Sequence, residues 1–369
     1  MKRQWISLLA GTLLLASLLA APDIALAAAR DGTALFIEVL LPSLLPYLVA
    51  GQLMAQPSFL TWCSRSMQKI MPGLFSLPGS SALALCISVA SGYPAGARMT
   101  GELARQGSLS PSAARRTAQV ASHAGPAFIV GSLGSAMLGD SRLGLLLWFC
   151  HVAASLMLAM LRGRFRRTSA EPVILIPDAG KPTVFADLLL ALAKTLALVG
   201  STVVFFSVIL ALLNHFGIMR ALSGLLSPVF SFLGLSPQLI PAILSGMVEM
   251  TSGCRLAIQS GAPLPQVISV LAFLLGFGGL SIHMQSLSLL PGVPFKGFIA
   301  HKMIQALTSM LLTRAVFSIF STAKPVFLPS SIHYAPMGFT QLMVLAGFML
   351  AVILIFYLLL ALIAHFVKD

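Results

Sequence analysis

Two arginines stand out by residue type and spacing. Arg98 closes the string Ser91-Gly92-Tyr93-Pro94-Ala95-Gly96-Ala97-Arg98, and Arg255 closes Thr251-Ser252-Gly253-Cys254-Arg255. Each lies two residues after a glycine, in a stretch that begins apolar and breaks into polar sequence. A charged side chain near a bilayer centre costs at least ~2.5–3.5 kcal/mol, so an arginine placed there twice calls for a partner. The planar guanidinium fork suits a carboxylate, and the half-helix N-termini at the same breaks add N–H donors and positive potential. The chemistry implied is the binding of an anionic substrate. Snorkelling to the interface, or pairing with Glu102 or Glu249, is the structural alternative. Glu249 itself can couple protons, repel anions or lock Arg255 in an ion pair.

Other groups cluster at the same breaks. Ser91, Ser122, Thr251 and Ser252 can touch substrate or re-satisfy helix backbone. Tyr93 can stack on a flat ring or sit as an ordinary interfacial tyrosine, while Gly96 and Gly253 let backbone approach a ligand. His123, beside Gly125-Pro126, can donate to substrate or be a satisfied core group, and His283 reads as a core group. No GxSxG, HExxH, Walker loop or paired-carboxylate pattern occurs, which argues against an enzyme. Cys63, Cys86, Cys150 and Cys254 are far apart and lack metal-site spacing, so they read as thiols and neither metal nor cofactor is expected.

The elements that position these residues follow from composition. Of 369 residues, 57% are hydrophobic and only 9% charged, whereas soluble domains carry about 25% charged residues. The reading is an all-α, polytopic membrane protein. Its net charge of +13 lacks the aromatic interleaving of a nucleic-acid groove and reads as an orientation signal. Apolar stretches cover 6–21, 34–54, 110–138, 143–161, 184–213, 264–290, 295–317 and 338–366, which is about eight spans at about 20 residues per crossing. The first also fits a cleavable signal peptide ending near Ala25-Leu26-Ala27, and on either reading residues 23–33 form an outer segment. Residues 80–105 and 236–260 read as re-entrant hairpins, and 59–77 and 218–233 as amphipathic interface helices. Arg162, Arg164, Arg166, Arg167 and Lys181 mark the cytoplasmic side, which puts both termini in the cytoplasm. Arg98, Lys194, Arg255 and Lys302 are left at no assigned depth.

The order of elements recurs. Pro94 to Arg98 lies over Thr251 to Arg255, Gly107 to Pro111 over Gly261 to Pro265, and His123-Ala124-Gly125 over Phe277-Gly278-Gly279. The first copy starts outside and the second inside, so the repeats are inverted. Each contains one broken hairpin, the pattern of secondary transporters. The organisation expected is an N-terminal span and outer segment (1–33), a first repeat (34–161), a basic linker (162–182), a second repeat (183–317), and an outer loop with a C-terminal span (318–369).

The string from Ser91 to Arg98, with Thr100, Glu102-Leu103 and Gln106-Gly107, resembles sporulation integral membrane proteins of the YlbJ type, in the group with the nucleoside-recognition or Gate domain. The resemblance runs through residues 122–129 and the break from Glu249 to Arg255 to about residue 315. It implies a multi-pass protein of spore formers that moves dipicolinate out of the mother cell across the outer forespore membrane. Dipicolinate is a flat pyridine with two carboxylates, which suits the arginine pair. The sequence departs from its relatives at His123, Ala124 and Gly125, where they tend to have asparagines. Competing expectations are a transporter of nucleosides or neutral heterocycles, and a membrane scaffold for spore-envelope assembly. The partners expected are the small anion and the lipid bilayer, with a homo-oligomer or other sporulation membrane proteins as further candidates.

Overall fold

The computed structural model describes residues 2–42, 45–46, 49, 65–68, 70–164, 185–232, 234–290 and 292–321, and among them only helices and connecting turns occur. The chain opens with α1 (Lys2–Ala20) and α2 (Pro22–Ala34), the latter continued by a π-helical turn over Leu35–Leu40. Residues 23–33, read from sequence as an outer segment, are helical. Pro22 sits in the first turn of α2, where its missing N–H has no partner to lose, and the alanine-rich run behind it favours helix. The two helices meet at 100°, so the boundary expected at 33/34 falls inside a continuous helix.

After α3 (Ile70–Phe75) come a hairpin, α4 (Ser81–Ser91) and α5 (Ala95–Arg105), then α6 (Pro111–Val120), the π-helical α7 (Ala127–Met137) and the long α8 (Ser141–Arg164). The second half follows with α9 (Phe185–His215), α10 (Ile218–Phe232), a second hairpin of α11 (Ile240–Val248) and α12 (Met250–Gln259), then α13 (Leu264–Phe277), α14 (Gly279–Ser288) and α15 (Phe295–Ser321). The expected C-terminal span at 338–366, most of the basic linker and residues 51–64 lie outside the described residues. Both halves place a hairpin, a broken helix and a long helix in the same order. Gly107 and Gly261, which align in the sequence, both turn the chain with positive φ, 74° and 70°. A proline follows each in the first turn of the next helix, and Ser110 Oγ caps α6 by accepting the Ala113 N–H at 3.1 Å.

Among the described residues, three stretches are long and apolar enough to cross a membrane: Ser141–Gly163, Leu192–His215 and Leu264–Ser288. The bent α1–α2 pair counts as a fourth when taken as one span. α15 has the length but not the apolar composition, and its sidedness is inverted. His301, Lys302, Gln305, Ser309 and Thr313 are fully buried, while Ile304, Leu307, Leu311 and Ile319 face outward. A polar stripe inside and an apolar face outside is the pattern of a helix bathed in lipid. α10 likewise exposes Leu225, Val229 and Phe232, as an interfacial helix does.

α13 forms the centre of the core, between α8 and α15. Its Ile268, Leu271, Leu274 and Leu275 pack in one cluster with Ile129, Leu133 and Leu147. The two hairpins sit at opposite ends of α8. At the end that carries Arg162, Gln119 accepts from the Arg162 guanidinium at 3.0 Å and donates to the Gly297 carbonyl at 3.2 Å. Gly101 of α5 presses on the Leu289 carbonyl at the same end. At the other end, α12 shares a cavity with Ala136 and Met137, just before α8 begins.

Candidate functional site

The helix breaks pair off and then meet. In the first half the chain crosses itself where a Cβ on Gly92 would lie 2.4 Å from the Gly125 nitrogen. In the second, a Cβ on Gly279 would lie 2.9 Å from the Gly246 carbonyl and 3.1 Å from the Met250 nitrogen. Only glycine permits such backbone contact. Tyr93 bridges the two crossings, since its hydroxyl donates to the Leu275 carbonyl at 3.5 Å and lies against Gly278.

The charge at this junction is Lys302 of α15, which is 0% exposed. Its ammonium donates to the Tyr93 hydroxyl at 2.9 Å, the Ser122 carbonyl at 2.8 Å and Gln305 Oε1 at 2.7 Å, and it sits 5.3 Å from the Tyr93 ring centroid. Those bonds use all three ammonium protons. Every acceptor is neutral, and among the described residues no carboxylate pairs with Lys302. Burying an ion without a counter-ion costs several kcal/mol after relaxation, so the arrangement is held by the surrounding fold at a standing cost.

Beyond those three acceptors, the nearby polar side chains leave nitrogens without partners. His151 Nε2 accepts the Ala124 N–H at 3.1 Å, which assigns the ring proton to Nδ1. Ser88 Oγ accepts the His123 backbone N–H at 3.0 Å and hydrogen-bonds His123 Nδ1 at 3.1 Å, which fixes the ring. His123 and His151 meet edge to face, with centroids 5.6 Å apart. His123 Nε2, His151 Nδ1 and Gln305 Nε2 are all buried and unpartnered. Buried polar atoms normally find partners. The lone His151 Nδ1–H and Gln305 amide donors near Lys302 suit an acceptor-bearing guest.

The residues singled out from sequence divide between this junction and elsewhere. Tyr93 and His123 lie at it, with Ser91 buried beside the first break. Arg98 and Arg255 do not converge. Both are exposed, because a side chain four residues past the first break and six past the second has turned outward. The faces turned inward belong to Gly96 and Gly253. A Cβ on Gly96 would lie 2.2 Å from the Ala121 carbonyl, and one on Gly253 the same distance from Gly246 Cα. These glycines admit neighbouring helix backbone. Arg255 lines a cavity of about 400 Å3 with Asp31, Glu38, Met137 and Gln259.

Glu249 is 2% exposed and pairs with no arginine. Its carboxylate caps α12, accepting the Thr251 and Ser252 N–H groups at 2.9 and 2.6 Å. The helix N-terminus expected to attract an anion in the second half thus already holds the protein's own carboxylate, and Thr251 and Ser252 serve it. The N-terminus of α5, by contrast, has no side-chain cap. Glu102 is drawn to the surface by Arg105 and by Gln106 Nε2 at 2.7 Å, so it does not neutralise Arg98. His283 donates to the Phe277 carbonyl at 2.7 Å and closes the end of α13.

Lys302, Gln305 and His151 escaped the sequence reading as site residues. The signal was present: Lys302, Gln305, Ser309 and Thr313 recur at helical spacing in an otherwise apolar stretch, the mark of a polar stripe facing a bundle interior.

The Gate family, described as nucleoside recognition, matches residues 196–367, which include Lys302 and Gln305 but not Tyr93, His123 or His151. The chain is 26% identical over 335 residues to "Sporulation integral membrane protein YlbJ" of Bacillus subtilis (strain 168), covering 84% of this chain and 82% of that protein. No solved structure matches it. The all-helical body and the SGYPAGAR string agree with these two matches, and together they support a likeness to the YlbJ-type sporulation integral membrane proteins.

Proposed function

We propose that the protein carries a small planar anion across its membrane, with dipicolinate as the first candidate and movement from mother cell toward forespore as the direction. The observation that carries this reading is the junction of Lys302 with the unpartnered nitrogens of His123, His151 and Gln305. A buried cationic side chain with unpartnered N–H groups near it complements a carboxylate. The two hairpins, entering from opposite ends of α8, support an inverted pair of repeats working by alternating access. Arg255, in its cavity, then serves as a collecting charge at one mouth, and Arg98 serves the other. Both termini are cytoplasmic on this reading, and no chemistry is performed on the cargo.

The test is dipicolinate entry into liposomes that carry the purified protein and trapped terbium, whose luminescence rises on chelation. Removing one partner of a desolvated charge pair costs about 2–5 kcal/mol. Lys302→Met is therefore expected to cut uptake by about thirtyfold or more, while Arg98→Ala and Arg255→Ala slow it less. Full uptake by a folded Lys302→Met protein refutes the site. Failure of the wild type to admit dipicolinate while it admits a nucleoside favours the second reading, transport of a neutral heterocycle, to which the Gate match and the Gln305 amide lend support. Entry of neither leaves the scaffold role.

A further inference from the structure

We infer that the anion does not travel alone: a proton crosses with it, carried on the Lys302 amine. The inference rests on the transport reading above and deepens it. Lys302 is sealed at 0% exposure among three neutral oxygens, and among the described residues it has no acidic partner. Charging such a site is costly when it is empty and favourable when a carboxylate sits beside it. Occupancy by the anion and occupancy by the proton therefore reinforce each other, and linkage makes that coupling reciprocal.

The surroundings supply no other counter-charge. The ionisable groups that face Lys302 are Tyr93 and His123 from the first crossing, His151 from α8, His283 from α14, and His301 from α15 itself. Four of these are histidines close enough to feel its charge. α13, packed along α15, contributes none. Arg162 lies near His301, toward one end of the bundle, and adds positive charge. Glu249 is turned away into the cap of α12. Every neighbouring charge is positive or absent, so the compensation has to arrive from outside. The balance is simple: the amine takes a proton from the side on which the anion enters, becomes the ammonium that holds it, and returns the proton on the side of release.

Proteoliposomes of the full chain, at equal pH on both sides and with the membrane potential clamped, test this. One batch holds terbium and a second holds the pH dye pyranine. Dipicolinate added outside is expected to raise the terbium signal in the first and acidify the lumen in the second, both above protein-free liposomes. Lys302→Arg, with a charge that is never lost, is expected to keep a measurable terbium signal while its acidification falls to the protein-free level. Terbium entry in the wild type without acidification overturns the proton coupling and leaves anion transport standing. No terbium entry by folded protein overturns both. If Lys302→Arg does not fold, the wild-type comparison of the two dyes alone decides.

Discussion

Replacing Gly92 by alanine tests whether the crossing of the two first-half breaks holds the site together. Gly92 has φ 79° and ψ −162°, a region open essentially to glycine alone, and forcing another residue into it costs about 1–3 kcal/mol. The added Cβ would also lie 2.4 Å from the Gly125 nitrogen and 2.7 Å from its Cα. Both are backbone atoms with nowhere to go, and overpacking of this kind adds about 1–3 kcal/mol. The sum, about 2–6 kcal/mol, is a large share of a typical stability. Gly107 isolates the two contributions. It too has positive φ, 74°, but a Cβ there meets nothing within 4 Å, so Gly107→Ala carries backbone strain of about 1–2 kcal/mol only. Heating both variants in mild detergent and following the monodisperse fraction by size-exclusion chromatography gives the comparison. Gly92→Ala is expected to melt well below Gly107→Ala, and to lose dipicolinate uptake even at temperatures where it stays folded. Equal melting of the two variants would show that the crossing contact contributes nothing.

Two further substitutions separate positioning from structure. Glu249→Ala uncovers the Thr251 and Ser252 N–H groups of α12 and is expected to cost about 1–2 kcal/mol in thermal stability, with Glu249→Asp recovering part of it, both read in the same melting assay. Ser88→Ala removes the hydroxyl that fixes the His123 ring; uptake is expected to fall several-fold in the terbium assay while the melting temperature drops by no more than a lost buried hydrogen bond of about 1 kcal/mol explains.

Composition alone specified a helical membrane body, and the breaks at Gly92, Gly125, Glu249 and Gly278 were legible because glycine and proline interrupt otherwise apolar runs. The helical state of residues 23–33 was not, since charges at Asp23, Arg30 and Asp31 mask the alanine-rich propensity between them. The candidate site was half legible. Tyr93 and His123 were found by adjacency to breaks, a local signal. Lys302 was not, because its importance lies in which helices surround it, and α8, the first crossing and α15 are brought together only in three dimensions. The arginines misled for a related reason. Spacing from a break tells how far along the helix a side chain sits but not which way it faces, and at positions 98 and 255 the helix has turned outward, leaving Gly96 and Gly253 at the contact.

The inverted helix α15 ties these points together. A soluble protein would turn Lys302, Gln305, Ser309 and Thr313 to water and bury Ile304, Leu307 and Leu311; here the bilayer takes the apolar face, and the polar stripe has no solvent to go to. Packing could satisfy such a stripe with acids, and Glu249 is available in principle. Yet Glu249 is committed to the N-terminus of α12 by two short bonds, and no other described carboxylate reaches the stripe. The fold thus keeps an amine and buried N–H donors where its own breaks meet, and keeps Glu249, the deeply buried acid among the described residues, away from them. For a purely structural helix that is wasteful, because an apolar residue at position 302 would pack without the cost of a buried ion. For a carrier it is what holds the site ready for an anion, and stabilises each state only when the cargo is in place.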